Sequence, residues 1–342
     1  MNTEILKETV AALLAKGKGI LAADESNKTA SKRLEEYCEG EITEETRRQY
    51  REVLLETPFL EKFVSGVILY DETFWQSNSN GEKFVESLNK RGILPGIKVD
   101  TGTREFPSHV GELVTGGLDD LEVRVKKYAE AGAKFTKWRA VFAIDEDKCL
   151  PTDIAILENA NILAQYVQIV QKYNLVPIVE PEVLLLGKHS IQTSYEVTKK
   201  VVSAVFEALK KFDIYLPGLI LKTSMVINGN QNAEEASADE VADLTVKMLL
   251  ETVPHEVGGV VFLSGGQTPV EATAHFDAIA EREPLPWELA FSYARALQDP
   301  ALRVWAGKPE NIEAARAAFR DRLDMNHLAD SGKYKVELEW LD

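Results

Sequence analysis

Three pairs of charged residues, each spaced two apart, close short apolar runs: Lys98 with Asp100 in ILPGIKVD, Lys137 with Arg139 in KFTKWR, and Glu180 with Glu182 in VPIVEPE. Side chains alternate faces along a strand, so each pair points to one side. Asp24 closes GILAAD, Tyr70 with Asp71 closes GVILYD, Lys222 lies at the end of GLILKT, Ser264-Gly265-Gly266 closes VVFLSGG, and Arg295 follows LAFSYA. Lysines facing carboxylates in one cavity suit covalent amine catalysis on a carbonyl. A lysine of ordinary pKa, about 10.4, is neutral in only about one part in a few thousand at pH 7. A second ammonium ~5 Å away, at an effective dielectric of ~20, disfavours its charge by about 3 kcal/mol, or roughly two pKa units. Lys137 is expected to act on Lys222 in this way. Glu180, on the run between the two, is the expected acid for loss of water from the adduct and the base afterwards. The resulting iminium is an electron sink for breaking the adjacent carbon–carbon bond. Ser264-Gly265-Gly266 and Arg295 read as a phosphate grip. These residues describe a Schiff-base lyase acting on a phosphorylated ketose.

Any one of these charges alone reads as a solvated loop residue, and Ser264-Gly265-Gly266 as a plain turn. Charges at the ends of successive runs have no structural need to be there, and their conjunction carries the functional reading. Eight runs recur, at 19–24, 66–71, 93–100, 134–139, 176–182, 218–223, 260–266 and 289–294. Their near-continuous hydrophobicity suits strands buried on both faces, as in a parallel sheet. Amphipathic stretches such as TEETRRQYREVLLE, TSYEVTKKVVSAVFEALKKF and NIEAARAAFRDRL separate them, with Thr43 and either Ser237 or Asp239 as helix caps. Strict alternation favours a single α/β domain, an eight-stranded β/α barrel over 1–342 with a short tail from about 331. Chemistry in such barrels sits at the C-terminal ends of the strands, where the charges lie.

Other classes are set aside by composition and motif. A formal charge of -16 opposes nucleic-acid and anionic-membrane binding. With 45% hydrophobic residues, 342 residues can build a full core without staples. Cys38 and Cys149 fit a reduced, cytoplasmic setting, and the N-terminal segment reads as a helix rather than a signal peptide because Glu4 and Glu8 interrupt it. Gly17-Lys18-Gly19 is no dinucleotide fingerprint, and neither a Walker motif nor a G-x-S-x-G elbow occurs. His109, His189, His255, His275 and His327 are scattered without metal-ligand spacing, so no zinc site is expected.

At these same residues the chain resembles class I fructose-1,6-bisphosphate aldolase, from about residue 15 to 335. The resemblance runs through KGKGILAADES, TEETRRQYR, SGVILYDETFWQ, GIKVDTG, AKFTKWRAV, VPIVEPE, LILKTSMV, GVVFLSGGQ and PWELAFSYARALQ, in order. It implies a β/α barrel and reversible cleavage of fructose 1,6-bisphosphate into dihydroxyacetone phosphate and glyceraldehyde 3-phosphate without a metal or organic cofactor. By the same resemblance Lys222 is the Schiff-base residue, Glu180 the main acid/base with Glu182 in support, Lys137 the group polarising reacting hydroxyls, and Asp24 the base at the cleaved bond. The 1-phosphate is placed on Ser264, Gly265 and Arg295, and the 6-phosphate near Ser26, Thr29 and Lys98, with Arg33 and Arg139 close by. A homotetramer is also implied.

The chain departs from animal members in ways that suggest a bacterial-type branch. Those members end in a mobile tail whose terminal tyrosine assists proton exchange on the enamine, whereas here the last tyrosine is Tyr334. Thr223-Ser224 stands in place of Pro-Asn, Ala294 in place of a glycine, and Thr29 in place of a serine. Competing readings are a Schiff-base aldolase for another ketose phosphate, such as sedoheptulose 1,7-bisphosphate, and a sugar-phosphate-binding protein without catalysis. Two phosphate grips favour a bisphosphate. Lys98, Lys137, Lys222, Arg33, Arg139 and Arg295 are expected to make one strongly positive mouth on an acidic surface.

Overall fold

The computed structural model describes residues 1–107 and 109–340, the last by its backbone alone. Eight parallel strands form one sheet in sequence order: β1 (Gly19–Ala23), β2 (Val64–Leu69), β3 (Leu94–Lys98), β4 (Phe135–Phe142), β5 (Val176–Val183), β6 (Ile220–Thr223), β7 (Gly259–Phe262) and β8 (Leu289–Phe291). The Ala22 N–H donates to Tyr293 C=O at 2.9 Å, which brings the end of β8 back to β1. Each crossover carries helix against the outer face. A small antiparallel hairpin, Thr103–Glu105 with Leu113–Thr115, follows β3.

Period-two alternation divides the core into two compartments. Outward strand residues such as Leu21, Val67, Ile97, Trp138, Val179, Leu221, Val260 and Phe291 pack with the helices. Inward residues Ile20, Ala22, Ile68, Phe135, Val176, Ile178, Ile220, Val261 and Ala290 fill the lower lumen. The helix Thr3–Leu13 seals that lumen. Asn2 caps it by accepting from the backbone N–H groups of Glu4 (3.1 Å) and Ile5 (3.4 Å), and Leu6, Val10, Leu13 and Leu14, spaced to share a face, pack on the lumen residues. Each such side chain contributes about 1.5–3 kcal/mol on burial.

Two glycines make this plug possible. A Cβ on Gly259 would lie 2.0 Å from Leu14 Cδ1, and one on Gly96 would lie 2.3 Å from the Phe135 ring. The lower lumen is thus filled by large side chains set against absent ones.

The expected strands are all present, with shifted ends. β2 spans 64–69 rather than 66–71, because Tyr70 leads into the short helix Asp71–Trp75, where Asp71 accepts from Trp75 Nε1 (2.9 Å) and the Tyr128 hydroxyl (2.6 Å). β7 ends at Phe262, and the chain turns at Leu263 with Gly265 and Gly266 at φ +54° and +96°. β4 extends to Phe142, paired with β5 throughout. Thr43 caps Glu44–Leu55 as expected, and Ser237 rather than Asp239 caps Ala238–Thr252, in a reciprocal box with Glu240.

Gly96→Ala forces a methyl against the outer end of the fully buried Phe135 ring and is expected to destabilise the protein by about 1–3 kcal/mol. A fall in urea midpoint checks this; an unchanged midpoint would show that the lumen packing can yield there.

Candidate active site

Above the plug the inward positions change from aliphatic to charged. Extending the period by two residues from Ala22, Ile178 and Ile220 gives Asp24, Glu180 and Lys222, and from Phe135 gives Lys137. A cavity of about 530 Å³ opens there at the C-terminal ends of the strands. Asp24, Ser26, Thr29, Lys98, Lys137, Arg139, Glu180, Glu182, Lys222, Ser264, Gly265 and Arg295 all line it. Twelve of the thirteen residues expected from the sequence are therefore brought together.

At its floor, two lysines share one carboxylate. Glu180 Oε1 lies 2.9 Å from Lys222 Nζ, and Oε2 lies 2.7 Å from Lys137 Nζ, which is also 2.7 Å from Asp24 Oδ2. All four side chains are buried. Burial alone would raise the Glu180 pKa, but Lys137, Lys222 and Arg139 outweigh it and hold the carboxyl at about 2. Burial likewise works against the Lys137 charge and is outweighed by Asp24, Glu180 and Asp100, which push its pKa up. The expectation that Lys137 confronts Lys222 as a bare cation is thus corrected: Glu180 bridges the two ammoniums.

Around this floor the other charges pair as well. Arg139 Nε donates to Glu182 at 2.5 Å, and Lys98 donates to Asp100 Oδ1. Asp100 is buried and further accepts from the backbone N–H groups of Gly102 (3.1 Å) and Arg139 (3.2 Å). Ser26 Oγ and Thr29 Oγ1 lie 3.0 Å apart at the start of the helix Asn27–Glu35. Gln267, buried behind the β7 loop, donates to Ser264 C=O both from its backbone (2.9 Å) and from Nε2 (3.0 Å), while Oε1 faces His275 Nδ1 at 2.6 Å. This fixes the loop whose Ser264 and Gly265 face the cavity.

Arg33 is the exception. Its guanidinium is taken by Glu25 and Asp299, with Gln298 Oε1 at 3.4 Å, and it is not among the lining residues. Glu25 also receives Arg51 at 2.7 Å. Tyr70 and Asp71 do not line the cavity either. The strongly positive mouth is corrected accordingly: the lining cations are Lys28, Lys98, Lys137, Arg139, Lys222 and Arg295, against the carboxylates of Asp24, Glu25, Asp100, Glu180 and Glu182. Charge is concentrated there but nearly balanced.

Lys28 and Ser292 are among the lining residues that went unseen in the sequence. Lys28 sits on a helical turn, where no strand period points to it. Ser292 lines the cavity, buried, with its hydroxyl lacking a hydrogen-bond partner among the described residues; its two-residue spacing from the inward Ala290, just past the end of β8, was the available signal. The departures Thr223-Ser224 and Ala294 fit the geometry: Ser224 Oγ donates to Val183 C=O (2.9 Å) and accepts from its N–H (3.1 Å), and Ala294 has φ -104°, which demands no glycine. Tyr334 is buried, donates to Glu339 Oε1 at 2.7 Å, and is not among the lining residues. Among the described residues no group of three or more His, Cys, Asp or Glu is arranged to hold a metal ion, and no helix is long and apolar enough to cross a membrane.

A parallel β/α barrel with its charged side chains gathered at the strands' C-terminal ends is an enzyme of the barrel class. Residues 5–340 match the family model for class-I fructose-bisphosphate aldolase, the glycolytic enzyme. The chain is 47% identical over 341 residues to fructose-bisphosphate aldolase of Dictyostelium discoideum, covering 98% of this chain and 95% of that one. It is 46% identical over 336 residues to a probable class 1 fructose-bisphosphate aldolase of Xylella fastidiosa, covering 98% and 100%. A crystal structure of the Plasmodium falciparum aldolase, in complex with TRAP and a small-molecule inhibitor, superposes with a TM-score of 0.95 at 47% identity, over 97% of this chain and 95% of that one. The chain belongs to the class-I fructose-bisphosphate aldolase family. Its reaction is the reversible cleavage of fructose 1,6-bisphosphate into dihydroxyacetone phosphate and glyceraldehyde 3-phosphate.

Because the Glu180 carboxyl lies at about 2 in the fold against an ordinary 4.5, its ionisation adds stability that is complete above pH 4.5 and lost as pH falls through about 2. The stability gap between wild type and Glu180→Gln is expected to shrink by roughly 3 kcal/mol across that window. Denaturant midpoints taken from neutral to acid pH check this, and a gap independent of pH would show that the lysines do not hold the carboxyl down.

Proposed function

We propose that Lys222 is the residue through which this aldolase works, and the carboxylate shared by Lys222 and Lys137 carries the assignment. Glu180 Oε1, 2.9 Å from Lys222 Nζ, is the acceptor for the proton that must leave before the amine attacks the C2 carbonyl of the ketose. In the free site that transfer is uphill, because the lysines favour the carboxylate. Two incoming phosphate groups bring about -3 to -4 of charge and raise the proton affinity of Glu180. Loss of water from the carbinolamine, with Glu180 returning the proton, leaves an iminium on Lys222.

Asp24, beside Lys137, is the base for the C4 hydroxyl. As that proton leaves, the C3–C4 electron pair moves into the iminium, glyceraldehyde 3-phosphate departs and an enamine remains on Lys222. Lys137, charged and held by two carboxylates, donates to the oxygens on which negative charge develops. Glu182 orients Arg139 over the same carboxylate. The orphan hydroxyl of Ser292 is a donor for a substrate oxygen. Protonation of the enamine at C3, then hydrolysis by the reverse of its formation, releases dihydroxyacetone phosphate. Ser264, Gly265 and Arg295 hold the phosphate nearer the iminium carbon, with Ser26, Thr29 and Lys98 toward the other.

No metal enters this sequence of steps. We further assign the enzyme to the cytoplasm and to a homotetramer, on its acidic charge and its family.

Borohydride reduction in the presence of dihydroxyacetone phosphate is expected to label the Lys222 peptide, equally with and without chelator, and Lys222→Met is expected to remove the label. Mass spectrometry reads the site; a label on another lysine, or one lost with chelator, overturns the assignment. Glu180→Gln is expected to lower kcat by about 10²–10⁴-fold, measured by coupled cleavage assay.

A further inference from the structure

Four of the six cations lining the cavity are already matched. Lys98 is held by Asp100, Arg139 by Glu182, and Lys137 and Lys222 by Glu180. Lys28 and Arg295 are exposed and, among the described residues, have no carboxylate within ion-pair distance. The acids closest to Lys28 in sequence are committed elsewhere, Asp24 to Lys137 and Glu25 to Arg33 and Arg51. Two free cations in a cavity of otherwise balanced charge match a substrate with two phosphate groups.

Their positions sort the two groups. With Lys222 at the end of β6, the loop of Ser264 and Gly265 follows the neighbouring strand β7, and Arg295 follows β8. The helix Asn27–Glu35, whose first turn carries Lys28, follows β1, three strands round from β6. In a ketose 1,6-bisphosphate bound through C2, one phosphate is a single carbon away from the point of attachment and the other four carbons away. The near phosphate falls to the β7 and β8 loops and the far one to the β1 loop.

We propose that Lys28 binds the phosphate remote from the Schiff base, and that it sets the preference of this enzyme for a bisphosphate over a monophosphate. The inference rests on Lys222 holding C2. Arg33 does not reach the cavity, and the charge of Lys98, set toward the same phosphate, is already shared with Asp100, which is itself fixed by the Gly102 and Arg139 N–H groups. Lys28 gives up no partner on binding. The hydroxyls of Ser26 and Thr29, 3.0 Å apart in the same lining, are the neutral donors beside it.

The test compares fructose 1,6-bisphosphate with fructose 1-phosphate, which lacks only the remote phosphate. Lys28→Ala is expected to raise the bisphosphate KM about tenfold with kcat within about twofold, and to change the fructose 1-phosphate KM by less than about twofold. Lys28→Arg is expected to recover the bisphosphate KM to within about threefold of wild type. Equal rises for the two substrates, no rise for the bisphosphate, or failure of the arginine to restore it would each overturn the proposal. Borohydride trapping with dihydroxyacetone phosphate separates the two levels: wild type and Lys28→Ala label alike at Lys222 if C2 is held there, and an unlabelled Lys222 in both brings down the underlying assignment instead.

Discussion

Two buried lysines cannot occupy the same lumen as cations unless a carboxylate lies between them, and Glu180 is that carboxylate. It makes the lumen floor stable: its two oxygens meet Lys222 and Lys137, and Asp24 takes the remaining charge on Lys137. Desolvation opposes each of these charges, so removing Glu180 leaves Lys222, and removing Lys137 leaves Asp24, buried with no opposite charge among the described residues. The same contact carries the proposed chemistry, in which the atom that pairs with Lys222 is also the one that takes its proton. On that proposal, stability of the empty site and reactivity of the filled one depend on opposite protonation states of one group. In the proposed mechanism, substrate phosphate moves the site from one to the other.

This arrangement needs a rigid base. The helix Thr3–Leu13 and the lumen residues beneath the charged layer exclude water from below, and the glycines opposite Phe135 and Leu14 let the packing close. Gln298 ties the upper seam, donating to Ala22 C=O beside the strand contact from Ala22 to Tyr293. It also accepts from Tyr50, Arg33 and Arg51, so the network that withholds Arg33 from the cavity braces the barrel behind Asp24.

An acidic protein with an anionic substrate is no contradiction once the mouth is described. A charge of -16 is spread over the whole chain, whereas the cavity is nearly neutral and contains two cations that have no carboxylate partner among the described residues. Local unmatched charge governs a small ligand, and net charge governs extended surfaces such as nucleic acid.

Repetition and alternation made most of this legible in the sequence. Eight apolar runs separated by amphipathic stretches determine a β/α barrel, because parallel strands buried on both faces need helical crossovers. Period two then puts Lys98, Lys137, Glu180 and Lys222 on the inward side, since a strand leaves no third direction. Pairing among charges could not be read this way. Whether Arg33 faces substrate or Glu25, whether Lys98 is free or held by Asp100, and whether Lys137 meets Lys222 directly or through Glu180 depend on side chains from distant strands and helices meeting at ångström distances. Lys28 and Ser292 were overlooked for the same reason: a helical turn has no inward period, and a serine reveals itself as unsatisfied only when its neighbours are in place. Local spacing determined which residues face the lumen. The tertiary structure alone decided which of their charges remain unmatched.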